Sequence, residues 1–343
     1  MNQLLEMKAY NLHSVNDLRY EDVPMPQCAD GWAIVKVKAA GICSSDISRV
    51  FTKGTYHFPT IPGHEFSGIV ESVADAKDNK WIGKHVGVFP LIPCRKCRPC
   101  ADKHYEMCEN YDYVGSRRDG AFAEYVAVPV WNLIEIPQDL PFEVAAMLEP
   151  FSVALHAIKF GQISASDRVA VIGTGMIGIA AGLWARMRNA GQVTVIGRSE
   201  QKRPMIEKFG LEYQVQDESA LNEYDFVLEA VGTPASIEAA INATRRGGRL
   251  VLMGNPSGDI TLSQSVYWKI LRKQIVITGT WNSSYDGTNP SDWTDVVEAL
   301  AAGKIDGKSL ITHRFSQERL MEGLELMKQH EEPSCKVMTL WNE

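Results

Sequence analysis

The residues best able to do chemistry in this 343-residue chain are its cysteines and the few side chains that could join them. Cys94, Cys97, Cys100 and Cys108 form a Cys-x2-Cys-x2-Cys-x7-Cys run. Four thiolates close a tetrahedral shell around Zn²⁺ and leave no open position, which is a structural role. Such an ion would tie down a loop with little apolar content of its own. The first three spacings also match the start of an iron–sulfur run, but that pattern expects its fourth Cys about three residues on, followed by Pro. Here the fourth comes later and precedes Glu109. Surface thiols without metal are the remaining alternative.

A second set is dispersed. Cys43 lies in Gly41-Ile42-Cys43-Ser44-Ser45-Asp46, His64 in Pro62-Gly63-His64-Glu65, and Glu149 stands before Pro150. Singly, each has a structural explanation: a small buried hydrophobe, a core histidine, a solvated carboxylate at a helix start. Together, one Cys, one His and one carboxylate make up the three protein ligands of a catalytic zinc, with the fourth position left for water or substrate. Their spacing does not show that they meet in space.

The third group is a glycine run. The apolar stretch 169–172 leads into Gly173-Thr174-Gly175-Met176-Ile177-Gly178, then a helix-like segment to about Asn189, then a second apolar run, 193–196. Strand, tight turn, helix and strand in that order set a pyrophosphate on a helix N-terminus. An Asp or Glu about 20 residues past the glycines binds the adenosine ribose hydroxyls and selects NAD(H). This chain has Gly197 there, followed by Arg198, Ser199, Lys202 and Arg203. Cations beside a hydroxyl suit a 2′-phosphate, so the expected cofactor is NADP(H). The alternative is a solvated helix-start face that still admits NAD(H).

The elements that must position these groups fall into two kinds. Residues 1–150 read as irregular and β-rich, with Lys36 and Lys38 alternating with apolar residues over 32–39 and many Pro and Gly turns. A short helical stretch is expected near 44–51. After Pro150 a helix over 151–160 opens a βα alternation, with strands expected at 168–172, 193–197, 225–229, 249–253 and 274–279. Helices at 201–209 and 235–244 would lie between them. That is a doubly wound parallel sheet, so the class is α/β. Helices near 292–302 and 317–329 and a last apolar run, 336–341, return to the first region. The expected domains are 1–150 with 290–343, and an inserted nucleotide-binding domain, 151–289.

Composition narrows the function classes. Net charge is −7 without a basic block, which argues against nucleic-acid partners and anionic membranes. No apolar run approaches the roughly 18 residues of a membrane span. The N-terminus lacks an export signal, so a cytoplasmic protein is expected. Seven Cys is an odd number, and four within 94–108 favour metal over a disulfide framework. Cys28 and Cys335 are expected to carry no ligand.

Gly63-His64-Glu65, the cysteine run, Glu149-Pro150 and the 173–178 glycines stand in the order found in zinc-dependent medium-chain alcohol and polyol dehydrogenases. The chain resembles that family over essentially its whole length. The stretch from Tyr111 to Tyr125, with Gly279-Thr280-Trp281, is most similar to the galactitol-1-phosphate and sorbitol dehydrogenase branch. The resemblance implies a GroES-like catalytic domain beside a Rossmann domain, with two zinc ions per chain, one catalytic and one structural. It makes Cys43, His64 and Glu149 the catalytic ligands and Glu65 a nearby carboxylate able to exchange onto the metal. Asp46 would orient His64, as ligating imidazoles require, and Ser45 would carry the substrate proton. Many relatives put a relay His where this chain has Ser48, so the outer proton route is left to the cofactor ribose, water or another group. The implied substrate is a polyol or its ketose. A sugar phosphate would need cations, for which Arg117 and Arg118 are candidates, with surface ion pairing as the alternative. Trp281 would line the pocket or pack in the core. The implied assembly is a homodimer joined through the nucleotide-binding sheets, or a tetramer of such pairs. A metal-free quinone-type reductase and a non-catalytic nicotinamide-binding sensor are the competing readings.

Overall fold

The computed structural model describes residues 5–216, 223–330 and 332–342. The chain divides into two units, Met1–Glu149 with Ser284–Glu343, and Pro150–Ser283. The expected return at 290 comes earlier for a physical reason. Tyr285 packs its ring 5.3 Å from Phe89 and 5.1 Å from Trp131, and the Ser284 amide donates to Asp292 Oδ2 at 2.8 Å, all within the first unit.

Near-continuous apolar runs shape the unit Pro150–Ser283. Strands Arg168–Ile172, Gln192–Gly197 and Tyr224–Glu229 are buried along almost their whole length, as strands covered on both faces must be. They belong to a parallel six-stranded sheet whose order, counted along the chain, is 3-2-1-4-5-6. The third strand, Glu212–Val215, is absent from the sequence expectation. It is a four-residue edge with a half-polar face, too short to show a period. Residues 201–209 give less helix than expected: a 3₁₀ turn, Glu200–Lys202, precedes a short α-helix, Arg203–Glu207. Pro204 has no amide proton to donate and fits only a helix's first turn, so the helix begins there.

The glycine turn joins the first strand to the helix Met176–Met187, whose residues Met176 and Gly178–Ala185 are buried. Gly178 is pressed against the turn, and a Cβ there would stand 1.9 Å from the Gly173 carbonyl oxygen. Gly178→Ala must therefore push the helix off the turn. It should lower the unfolding midpoint and disturb the pyrophosphate site such a turn offers, read by thermal unfolding and by titration with a dinucleotide. Wild-type values in both would contradict this account of the turn.

In the other unit a seven-stranded sheet runs in the order Ile311–Ser316, Lys336–Leu340, Trp32–Ile42, Glu65–Val73, His85–Val88 and Leu133–Glu135, with Tyr125–Pro129 also paired to Trp32–Ile42. Its core gathers Phe66, Phe122, Leu12 and Trp341, all nearly inaccessible to solvent. The short helix Ser44–Ser48 follows the central strand and passes into a π-helical turn, Arg49–Lys53. Among the described residues no helix is long and apolar enough to cross a membrane.

Candidate active site and metal centres

Sheet register builds the first site. In the antiparallel ladder Gly41 faces Glu65, and Ile42 faces Val337. One strand therefore ends, and its two neighbours begin, at the same edge. Cys43 lies just beyond the first, His64 just before the second, and Lys336 opens the third. The ligand atoms of Cys43, His64 and Glu65 all lie within 4.8 Å of one another.

The loop entering His64 is held by the stretch that carries the family likeness. Gly120 donates its amide to Ile61 O at 2.7 Å, Ala121 to Gly63 O at 2.9 Å and Phe122 to Pro62 O at 3.0 Å. Asp119 Oδ1 accepts the Ile61 amide at 2.9 Å. Much of what is distinctive in 111–125 thus serves to fix the histidine loop.

Electrostatics at this end favour positive charge. His64 is buried, which alone would hold its ring neutral, but Asp46 Oδ1 sits 3.5 Å from Nδ1 and raises its pKa well above the ordinary value. Asp46 also caps its own helix by accepting the Cys43 amide at 3.0 Å. Lys336 Nζ bonds to Glu65 Oε2 and reaches Ile42 O at 3.3 Å, with both side chains of the ion pair buried. Glu149 is buried beside this group. Burial, helped by the nearby Glu65 charge and opposed by His64, lifts its carboxyl to about 7. Its Oε1 lies 3.3 Å from the Tyr113 hydroxyl, and the Tyr113 ring stands 5.8 Å from that of His64. The structure therefore brings Cys43, His64 and Glu65 to one point and sets Glu149 alongside, outside the mutual 4.8 Å set. Thiolate, imidazole and carboxylate in a buried, acid-rich pocket fit a zinc ion with an open position.

Three residues of the site are absent from the sequence reading. Arg49 donates to Ser45 Oγ at 2.9 Å and to Asp46 Oδ1 at 3.1 Å. Tyr113 and Lys336 each hold a carboxylate. The signal for Lys336 was a lone charge heading an apolar strand; that for Arg49 was a cation between Ile47 and Val50 in a stretch that buries Val50.

In the cysteine lobe, the four sulfurs of Cys94, Cys97, Cys100 and Cys108 also lie within 4.8 Å of one another. The Cys94 amide donates to Cys108 Sγ at 3.2 Å. Without metal the thiols differ sharply: the Lys96 and Cys97 amides draw Cys94 down to about 6, while burial pushes Cys100 up to about 12. A tetrahedral dication would deprotonate all four, and this all-thiolate ring fits zinc in a closed shell.

In the nucleotide-binding unit, Gly197 ends its strand and Arg198 and Ser199 are exposed just beyond it. Arg203 is committed elsewhere, to Glu200 at 2.6 Å and Glu207 at 3.1 Å. Arg118 pairs with Asp112 at 2.8 Å, and Arg117 is stacked between the rings of Tyr56 and Tyr111 at 4.2 and 4.4 Å. Both arginines thus have structural partners. Trp281 is about half exposed, at 48%, so it is not a core residue of its unit.

Residues 29–138 match the family model described as an alcohol dehydrogenase GroES-like domain, and residues 177–302 the one described as a zinc-binding dehydrogenase. Galactitol 1-phosphate 5-dehydrogenase of Escherichia coli (strain K12) is 34% identical over 301 residues, covering 84% of this chain and 87% of its own. The chain belongs to the zinc-dependent medium-chain polyol dehydrogenases. Sorbitol dehydrogenase of Bacillus subtilis (strain 168) is 30% identical to this dehydrogenase over 98% of both chains. The crystal structure of galactitol-1-phosphate dehydrogenase from Escherichia coli superposes with a TM-score of 0.90 at 31% identity, covering 97% of this chain and 100% of that one. As a member of the family, this dehydrogenase is an NAD(P)-dependent oxidoreductase acting on alcohols.

The clamp on the histidine loop is testable. A Cβ on Gly120 would lie 2.1 Å from Gly63 O and 2.7 Å from Pro62 O. Gly120→Ala should displace His64 and lower the zinc bound per chain. Metal analysis after dialysis against a mild chelator reads this directly, and full retention would contradict it.

Proposed function

We propose that this dehydrogenase interconverts a secondary alcohol of a polyol, free or phosphorylated, and the corresponding ketose, with NADP(H) as the preferred cofactor. The observation that carries the reading is the convergence of Cys43, His64 and Glu65 within 4.8 Å, with Glu149 beside them. Cys43 and His64 would hold a catalytic zinc, with the buried carboxylates Glu149 and Glu65 available for the third protein position. The Cys94, Cys97, Cys100 and Cys108 shell holds a structural one. When bound, zinc would supply a Lewis acid toward the substrate oxygen, and the nicotinamide would accept or return hydride.

The chain's own residues do the rest. Asp46 takes the outer nitrogen of His64 and fixes the ring's tautomer. Oxidation removes hydride from the carbinol carbon and a proton from its oxygen. Ser45 Oγ takes that proton and passes its own outward, through water or a cofactor hydroxyl, since Ser48 stands where a relay histidine would be. The 173–178 turn and the helix Met176–Met187 receive the pyrophosphate. The intact thiolate, imidazole and carboxylate set argues against a metal-free quinone reductase on this fold.

The cofactor preference rests on Gly197. A Cβ there would meet Thr174 Cγ2 at 2.3 Å and Tyr213 Oη at 2.6 Å, so the ribose-binding carboxylate of NAD(H) enzymes has no room. Arg198, Ser199 and Lys202 instead offer cations and a hydroxyl to a 2′-phosphate. A metal shell of four thiolates, Cys94, Cys97, Cys100 and Cys108, suits a reducing compartment, in keeping with a cytoplasmic enzyme. Absorbance at 340 nm (a general nicotinamide wavelength), with polyols, ketoses and their phosphates against both cofactors, tests the proposal. Turnover with NADP(H) is expected, and Arg198→Ala should cost about tenfold in NADP(H) affinity. Activity with NAD(H) alone would overturn the cofactor reading. A zinc-loaded protein silent with every pair would be a nicotinamide-binding sensor.

A homodimer fits the same unit. The strand Val276–Gly279 is an open sheet edge with Val276 58% exposed, and Trp268 and Leu271 stand exposed on the helix Gln264–Lys273. Unpaired edges with apolar neighbours demand cover. We infer that two copies pair through this edge. Val276→Lys with Leu271→Glu should yield monomers by light scattering, and an unchanged dimer mass would exclude this interface.

A further inference from the structure

Among the described residues, Arg49 is the side chain that ties the Ser45 hydroxyl to the scaffold behind the proposed metal ligands. It opens the π-helical turn Arg49–Lys53, which closes with the Gly54 amide on Arg49 O at 3.0 Å. Its side chain is one-fifth exposed. A single terminal nitrogen reaches Ser45 Oγ at 2.9 Å and Asp46 Oδ1 at 3.1 Å, and lies 3.4 Å from His64 Nδ1. The last approach is not a hydrogen bond when Nδ1 carries the ring proton, because two donors then face each other. Both groups share Asp46 Oδ1 instead.

A serine hydroxyl has one rotating proton and two acceptor sites. Guanidinium accepts nothing and stays charged throughout the working range. With Arg49 on one lone pair of Ser45, the hydroxyl proton cannot turn toward Arg49 and must be presented on the remaining side. We propose that Arg49 is a positioning residue: it locks the Ser45 rotor so that the hydroxyl donates to the substrate oxygen, and it does so without itself taking part in proton transfer. A neighbouring cation also strengthens that donor by withdrawing charge from the oxygen. In ketose reduction the Ser45 proton passes to the substrate oxygen as hydride reaches the carbon, and Ser45 Oγ takes a proton in turn from water or a cofactor hydroxyl on its outer side; in alcohol oxidation the same path runs backwards. Arg49 keeps all its protons in both directions.

The inference rests on the dehydrogenase reading, whose failure would show in the wild-type protein. Its own failure would show only in variants. With a substrate that the wild type turns over, Arg49→Met and Ser45→Ala should each lower kcat by roughly ten- to a hundredfold, with KM little changed, because the donor matters most as charge develops on the oxygen. The double variant should be no slower than Ser45→Ala alone, since a residue acting through another adds nothing once that partner is gone. Bound zinc and the unfolding midpoint of Arg49→Met should match the wild type. Losses that multiply in the double variant would overturn the proposal, and so would loss of zinc from Arg49→Met, which would assign Arg49 to Asp46 and His64. If Arg49→Met is too unstable to assay, Arg49→Gln, whose amide oxygen can accept the Ser45 proton and so frees the rotor, carries the same double-variant comparison and the same two overturning outcomes.

Discussion

The antiparallel register of Trp32–Ile42 between Glu65–Val73 and Lys336–Leu340 is the constraint on which the rest depends. Side chains alternate faces along a strand, so a one-residue slip would turn Glu65 away and carry Lys336 with its neighbours to the wrong side. The ladder is pinned on both flanks by buried apolar residues. Precision at the site is therefore inherited from a core that itself has no chemistry to do.

That arrangement collects acids where solvent cannot reach them. Asp46, Glu65 and Glu149 are all buried, and among the described residues Arg49 and His64 face Asp46 while Lys336 pairs with Glu65. Buried charge is tolerated only when paired or bound to metal. Burial, with the Glu65 charge nearby, raises the Glu149 pKa, while Asp46 raises that of His64 against the effect of burial. The cysteine lobe solves a different problem. Its ring of sulfurs is closed and its apolar neighbours are few, chiefly Tyr105, Tyr111 and Trp131, so a bound ion there would act in place of a core.

Much of this was legible before any coordinates. The glycine turn, the strand Arg168–Ile172 and the cysteine spacing are local features, and local features survive reading in one dimension. Cys43, His64 and Glu149 could be marked as chemically able, but not as neighbours, because what meets Cys43 and His64 depends on pairing across a sheet. Glu149 and Glu65 were ranked by family likeness, whereas the geometry groups Glu65 most tightly with Cys43 and His64. Tyr113 and Lys336 were missed since nothing near them in the chain announces their partners: Lys336 meets Glu65 across 271 positions. Arg49 has local partners, Ser45 and Asp46, and was missed because a cation one turn from them also reads as a solvated helix charge. The short strand Glu212–Val215 escaped for the opposite reason, having too few residues to carry a pattern.

The unit that holds the metal centre is assembled from both ends of the sequence, with the nucleotide-binding unit between them. During synthesis the ribosome delivers the central strand early and its partner Lys336–Leu340 only after the whole intervening unit has emerged. Until then Glu65 lacks its ammonium and one side of the central strand stays open. Such distant pairing slows folding and leaves an adhesive edge waiting. The nascent chain must therefore survive an interval in which a finished Rossmann sheet is tethered to a half-built seven-stranded sheet, and that interval is where chaperones would find most to do.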